Sequence, residues 1–434
     1  MQMNTYGGVK RACPVCGAAS VAPLYANSLA PLGGLDMSYE LARCTVCGFH
    51  FAHALPDEAQ YLRYYRELSK YDSQPSVSAI DRERNAAAVD FCLQHKLAKN
   101  LRILDLGCGF GALLAALRAA GFGSLQGLDP APHSGRQARA LFGLDGIAQG
   151  TLAQAHEVLN LHEVDLVCLM AVLEHLPCLR RDLGRLLQQL RPGALLLLEV
   201  PALEFFAAHE GEPFGELSIE HIQFFSAASL RNLLSSLGAV VLGQTLLPLA
   251  GLHLGSLFVL AQTAPGVPGS IQAESPAQMD AYLAGSAQRW NVALQRVPDQ
   301  PFVLYGAGSH SARLLPRLDG AQRRSLLAIV DGNANLHGKR LGAWTVEPPE
   351  ALSKYPGLPV LISSYRSELQ IARSLRYMSS NLSRPQAAIG CVMLRVRAAF
   401  CTSVRSGLRV TVLMSDQSRV GPDQRRGLSS RAWA

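Results

Sequence analysis

The sequence predicts a mixed α/β protein in which a small cysteine-rich N-terminal unit precedes two units built on parallel sheets. Three observations carry this. Apolar runs such as "VDLVCLM" (164–170) and "ALLLLEVP" (194–201) are continuous, as in strands covered on both faces, and they alternate with helix-period segments. A strand, a glycine turn and a helix recur at "RILDLGCGFG" (102–111) and "FVLYGAGS" (302–309). The length, 434 residues, exceeds one ordinary core and suggests roughly three units.

The N-terminal unit, residues 1–57, holds "CPVCG" (Cys13, Cys16) and "CTVCG" (Cys44, Cys47), two C-x2-C pairs separated by 27 residues. Each pair forms a knuckle in which two thiolates converge on one ion, and the following Gly17 or Gly48 takes the positive φ of the turn. Four thiolates around Zn2+ close the site, so the metal is structural, and a unit this small needs such a staple. A redox C-x2-C is the competing reading. His50 and His53 are read as surface residues, and Cys92, Cys108, Cys168, Cys178, Cys391 and Cys401 as packed thiols.

Residues 58–98 read as a helical connector whose Tyr61, Tyr64, Tyr65 and Tyr71 are packing residues or the mouth of a ligand site. The central unit, 99–262, is a doubly wound sheet: "LRILDLG", "SLQGLDP", "VDLVCLM" and "ALLLLEVP" are strands separated by helices. Leu237 to Ala261 lacks Asp, Glu, Lys and Arg, yet its four glycines and Pro248 predict two buried strands instead of a membrane span. Residues 263–298 read as a linker turning helical around Trp290. A second α/β unit, 299–384, follows, and after about Arg376 the pattern dissolves into a basic tail, 385–434. There eight Arg face Asp416 and Asp423, a balance of +6 out of +7 for the chain. The body is therefore nearly neutral, which argues against nucleic acid as a partner. A reading-frame change near Arg376 is one explanation of the tail. No secretory leader is evident in the first fifteen residues, so the expected address is the cytosol.

The first glycine turn is Gly107, Gly109 and Gly111, with Asp105 inside the preceding strand. A dinucleotide turn has G-x-G-x-x-G and places its diphosphate here, where Asp105 would repel it. The ammonium of S-adenosylmethionine is attracted to the same carboxylate. Asp129, closing the second strand, is placed for the ribose hydroxyls, and Gly107 and Gly109 let the backbone approach the ligand.

The motifs "LDLGCGFG", "GLDP", "DLVCLMAVLEHLP" and "LRPGALLLLEVP" resemble class I S-adenosylmethionine-dependent methyltransferases over about residues 99 to 262. The resemblance implies a central Rossmann-like methyltransferase domain with Asp105, Gly107, Cys108, Gly109 and Asp129 at the cofactor. It adds Thr151 and Leu152 near the adenine, and Met170, Ala171 and Val172 under the methionine. The double C-x2-C unit, "EHIQFFS" and a second Rossmann-like domain starting "LYGAGS" are similar to the three-domain, zinc-containing deoxysugar C-methyltransferases and their relatives in polysaccharide gene clusters. In that group an acid and a histidine after the fifth strand serve a keto-sugar; Glu220 and His221 stand there. The chain differs in having Ser218 where that group has tyrosine, and in its extra pair Glu174 and His175.

These residues imply base-assisted C- or O-methylation of a sugar, nucleotide-linked, with His221 as base, Glu220 as orienter or clamp and His175 as second candidate. Glu174 has no second carboxylate at helical or strand spacing to support a metal there. A small-molecule O-methyltransferase for a non-sugar acceptor, and a non-catalytic cofactor-binding module, are the alternatives. Gly306, Gly308 and Asp331 of the second unit resemble a dinucleotide fingerprint with Ser311 replacing the third glycine. By the resemblance this domain closes over the methyltransferase and grips the substrate, with a pure scaffold and a redox-cofactor site as the alternatives; the helix start places Ser309 and His310 where a phosphate is met.

Overall fold

The computed structural model describes residues 8–68, 77–208, 211–249, 254–264, 266, 271–365, 367–381 and 391–393. Tyr71, Cys401 and nearly all of the basic tail lie outside these. Among the described residues no helix is long and apolar enough to cross a membrane.

Three sheets organise the chain. The first is antiparallel: Val9–Lys10, His50–Leu55, Tyr39–Cys44 and Val21–Asn27 lie in that order. A short strand from the central unit, Gln223–Phe224, joins it against Phe51 and His50. The second sheet has seven strands, ordered Ala239–Leu249, Leu254–Thr263, Leu195–Pro201, Leu166–Met170, Arg102–Leu106, Ser124–Asp129 and Ile147–Gln149. Its last five are mutually parallel, and Leu254–Thr263 runs antiparallel to both neighbours. The apolar runs land in the middle: Leu166 to Leu169 and Leu196 to Leu198 are fully buried between helical layers. The third sheet orders Arg340–Leu341, Trp344–Glu347, Leu326–Val330, Phe302–Tyr305, Val360–Ile362 and Cys391–Met393, all parallel except the first.

Four expectations change. The charge-free stretch does form two strands, but Ala239–Leu249 is an edge strand whose side chains alternate, with Val240 and Leu242 exposed. Residues 263–298 are more than a linker: helix Ala277–Leu294 buries Met279, Tyr282 and Trp290 in a core shared with Tyr39, Phe214 and Phe302. The last α/β repeat continues past Arg376, because helix Glu368–Asn381 is followed by strand Cys391–Met393 paired with Val360–Ile362. His50 is wholly buried, and burial, then Arg43, pushes its pKa down to about 4, so it stays neutral.

Candidate functional site

The cofactor candidates gather where the parallel strands of the central sheet end. Strand Arg102–Leu106 carries Asp105 between Gly127 and Cys168 of its neighbours. Asp105 is buried, its Oδ1 has no hydrogen-bond partner, and burial with Asp129 nearby pushes its pKa well up. Gly107, Gly109 and Gly111 all have positive φ. A side chain on Gly107 would strike Val172, whereas one on Gly109 would meet nothing within 4 Å. Open space at Gly109 is where a ligand can touch the backbone. The Asp129 carboxylate ties this turn: Oδ2 accepts the Gly109 N–H at 2.8 Å, and Oδ1 accepts from the Ala131 N–H and the Ser134 hydroxyl. Cys108 packs under the turn beside Gly127. Thr151 and Leu152 begin a short capped turn closed by Gln154, beyond strand Ile147–Gln149. Met170 ends its strand, and Ala171 takes a φ of 52°, an unusual conformation for a residue with a Cβ.

The two Glu-His pairs, 46 residues apart in sequence, come together beside this edge. The His175 and His221 rings lie 5.0 Å apart. His175 Nδ1 is 3.0 Å from the Glu220 backbone oxygen, and the Ile222 N–H donates to the Glu174 backbone oxygen. Ser218 holds the turn by accepting from the N–H groups of Glu220 and His221. The Glu220 carboxylate accepts the Tyr64 hydroxyl at 3.0 Å. The carboxylate facing His221 is that of Glu216, 3.7 Å from Nδ1. Tyr65 meets His175 edge-on, so the connector helix Glu58–Glu67 contributes to the cluster as well as to packing.

The four N-terminal cysteines converge: Cys13 and Cys47 sulfurs are 3.6 Å apart, Cys16 and Cys44 3.5 Å, and all four lie within 4.8 Å of one another. Four sulfurs about 2.3 Å from one tetrahedral ion stand about 3.8 Å apart, so the set fits Zn2+ closely. Gly17 and Gly48 have φ of 76° and 81°, as the knuckles require.

The second glycine turn is built differently from a nucleotide cradle. Asp331 Oδ2 accepts the Ala307 N–H at 2.7 Å, and the Ser311 hydroxyl fills the third-glycine position by bonding Gly306 O and Ser363. His310 is turned inward: its Nδ1 is 2.7 Å from the Ser363 hydroxyl, and its ring packs between Trp290 and Tyr365. It therefore does not stand at a phosphate on the surface, and only Ser309 is partly exposed there.

A family described as methyltransferase domain matches residues 77–244. The central unit thus holds a methyltransferase domain. Among curated relatives, Methyltransferase-like protein 27 of Homo sapiens is 40% identical over 93 residues, 20% of this chain and 37% of that protein. Ubiquinone biosynthesis O-methyltransferase of Neisseria meningitidis serogroup C (strain 053442) is 26% identical over 129 residues, 28% of this chain and 52% of that protein. The chain thus spans about half or less of each. The solved magnesium protoporphyrin IX methyltransferase of Synechocystis PCC 6803 with bound S-adenosylmethionine is 17% identical, covering 49% of this chain and 99% of that one at a TM-score of 0.35.

Beside the methyltransferase domain's glycine turn, sequence reasoning passed over Glu216 and Glu199. Glu199 sits buried on strand Leu195–Pro201 opposite Met170, with Arg84 Nε at 3.3 Å and the Ser256 hydroxyl bonded to it. Its signal was one acid in an otherwise apolar strand. Glu216 lies in an irregular loop and had no periodic signal at all.

Proposed function

We propose that the protein methylates a sugar, carried on a nucleotide, at carbon or oxygen, with a histidine accepting the proton. The observation supporting this is the meeting of His175 and His221 beside the domain's cofactor edge. When bound, S-adenosylmethionine supplies an electrophilic methyl group for in-line displacement. Asp105, with a buried oxygen lacking a donor, fits its ammonium group, and the open backbone at Gly109 fits its approach. Asp129 faces the ribose, Cys108 stands with Gly107 at the cofactor turn, Thr151 and Leu152 line the adenine side, and Met170 and Ala171 flank the methionine.

His221 is the assigned base. With the Glu216 carboxylate 3.7 Å from Nδ1 to favour a protonated ring, Nε2 is the nitrogen left to take the acceptor proton, and such a base is worth about 10² to 10⁴ in rate. Glu220, held by Tyr64, clamps the acceptor, and His175 lines the same wall. The four cysteines hold a structural Zn2+, and the C-terminal domain grips the nucleotide portion of the substrate. The nearly neutral body supports an enzyme without a nucleic-acid partner.

A second reading, O-methylation of a non-sugar acceptor, is favoured by the Glu174–His175 pair and by likeness to the ubiquinone O-methyltransferase. Calorimetry with S-adenosylmethionine and radiolabelled methyl transfer to nucleotide-sugar and phenolic panels separate the two. Transfer by a His221→Ala variant at the parent rate would remove the base assignment.

A further inference from the structure

The Glu174 side chain is fully enclosed, and neither carboxylate oxygen meets a hydrogen-bond donor among the described residues. A buried carboxylate without donors is costly, so something must stand against it. The nearest group is His175, whose Nε2 lies 3.7 Å from Glu174 Oε1. The other ring nitrogen, Nδ1, is 3.0 Å from the Glu220 backbone oxygen. A carbonyl only accepts, so the neutral ring carries its hydrogen on Nδ1 and presents a lone pair at Nε2. Lone pairs therefore face each other across the gap. A histidine that ligates a metal is held in this way, its outer nitrogen donating to a carbonyl and its inner one aimed at the ion.

His221 brings a third ligand atom, and those of Glu174, His175 and His221 lie within 4.8 Å of one another. Two ligands about 2.1 Å from one ion stand about 3.0 to 3.4 Å apart, so Glu174 and His175, at 3.7 Å, are near ligand spacing and His221, within 4.8 Å, would close on the ion by side-chain rotation. The surrounding charge favours a cation. Glu199 and Glu216 are both buried and both act on Glu174, while the guanidinium of Arg84 is shared with Glu199 and Asp81.

We propose that Glu174, His175 and His221 form a binding site for one divalent cation. One carboxylate and two imidazoles suit Zn2+, Mn2+ or Fe2+ better than Mg2+ or Ca2+, and three protein ligands leave positions open. Both histidines are partly exposed, so those positions are reachable. This rests on the cleft being the acceptor site and narrows the acceptor to molecules offering adjacent oxygens, such as a vicinal diol or ketol. With an ion bound, His221 would hold the metal in place of the base role proposed above, and the ion would lower the pKa of a coordinated acceptor hydroxyl, whose proton would pass to water. The sequence offered Glu174 as a metal residue but no second carboxylate beside it, because the further ligand, His221, joins it only in the fold.

The test uses the full chain with its cysteine site loaded with zinc. Titration with Mn2+ followed by electron paramagnetic resonance, and with Co2+ followed by visible absorption, should show one further ion per chain. Glu174→Gln and His221→Gln should each weaken uptake about tenfold or more, with zinc content and circular dichroism unchanged. Uptake of neither ion, or equal uptake by the parent and a folded Glu174→Gln, overturns the site and means that a proton bridges Glu174 and His175. If either variant misfolds, His175→Gln replaces it. S-adenosylmethionine calorimetry on the same samples keeps the outcomes apart: cofactor binding without metal uptake sinks only the cation site, and metal uptake without cofactor binding sinks only the methyltransferase reading.

Discussion

The Arg313 guanidinium, wholly buried in the C-terminal domain, donates to the backbone oxygen of Leu217, four residues before His221. Asn27 of the N-terminal sheet donates to the same oxygen at 3.0 Å, and Arg313 Nη1 lies 3.5 Å from Glu212. One carbonyl thus joins all three units at the loop that leads into His221. Arg313→Met should cost about 2 kcal/mol, since it removes a charged donor from the carbonyl that Asn27 alone would then serve and leaves Glu212 without this partner. Urea unfolding would check this; a change under about 0.5 kcal/mol would mean that packing alone sets the loop.

Gly109 separates folding from binding. It has φ 53° and no atom within 4 Å of an added Cβ, so Gly109→Ala should cost only about 1 kcal/mol of stability. The same methyl group occupies the space assigned to the cofactor, and affinity for S-adenosylmethionine should fall at least about tenfold. Equal affinity by calorimetry would place the ligand elsewhere.

For the cysteine cluster, the expected zinc content is one ion per chain by mass spectrometry under native conditions. A strong chelator should then expose the 8–57 segment to protease while the central sheet persists, because the sulfurs are the staple of that small unit. Cys44→Ser should reproduce the effect. Unchanged proteolysis after complete zinc removal would assign the cysteines another role.

Acid should act through His310. Burial, then Arg313, holds its pKa down at about 3, against about 6.5 in an unfolded chain. The unfolded state therefore binds the proton first. The stabilisation is complete above about pH 6.5 and is lost as pH falls towards 3, at up to about 1.4 kcal/mol per pH unit. Asp105 and Glu174, whose pKa values are raised, act with the opposite sign, so the comparison must be with His310→Gln. Parallel stability curves for parent and variant between pH 6.5 and 4 would refute the assignment.

Local patterns made the central sheet and its glycine turn legible, because continuous apolar strands and alternating glycines are written in adjacent residues. The four-cysteine cluster was legible for the same reason. His310 misled because a helix start in sequence does not reveal that Ser363, 53 residues away, turns the ring inward. His50 misled because its burial comes from the added strand Gln223–Phe224, which nothing near position 50 announces. Glu216 was invisible for a related reason: a loop residue acquires chemical meaning only from what folding sets beside it.

The loan of Gln223–Phe224 to the N-terminal sheet has an evolutionary and practical corollary. A fragment cut at residue 57 would keep its cysteines yet present a bare strand flank along His50 and Phe51, inviting self-association. The four-cysteine head is accordingly no portable cassette; it must be engineered together with the central unit whose strand completes its sheet.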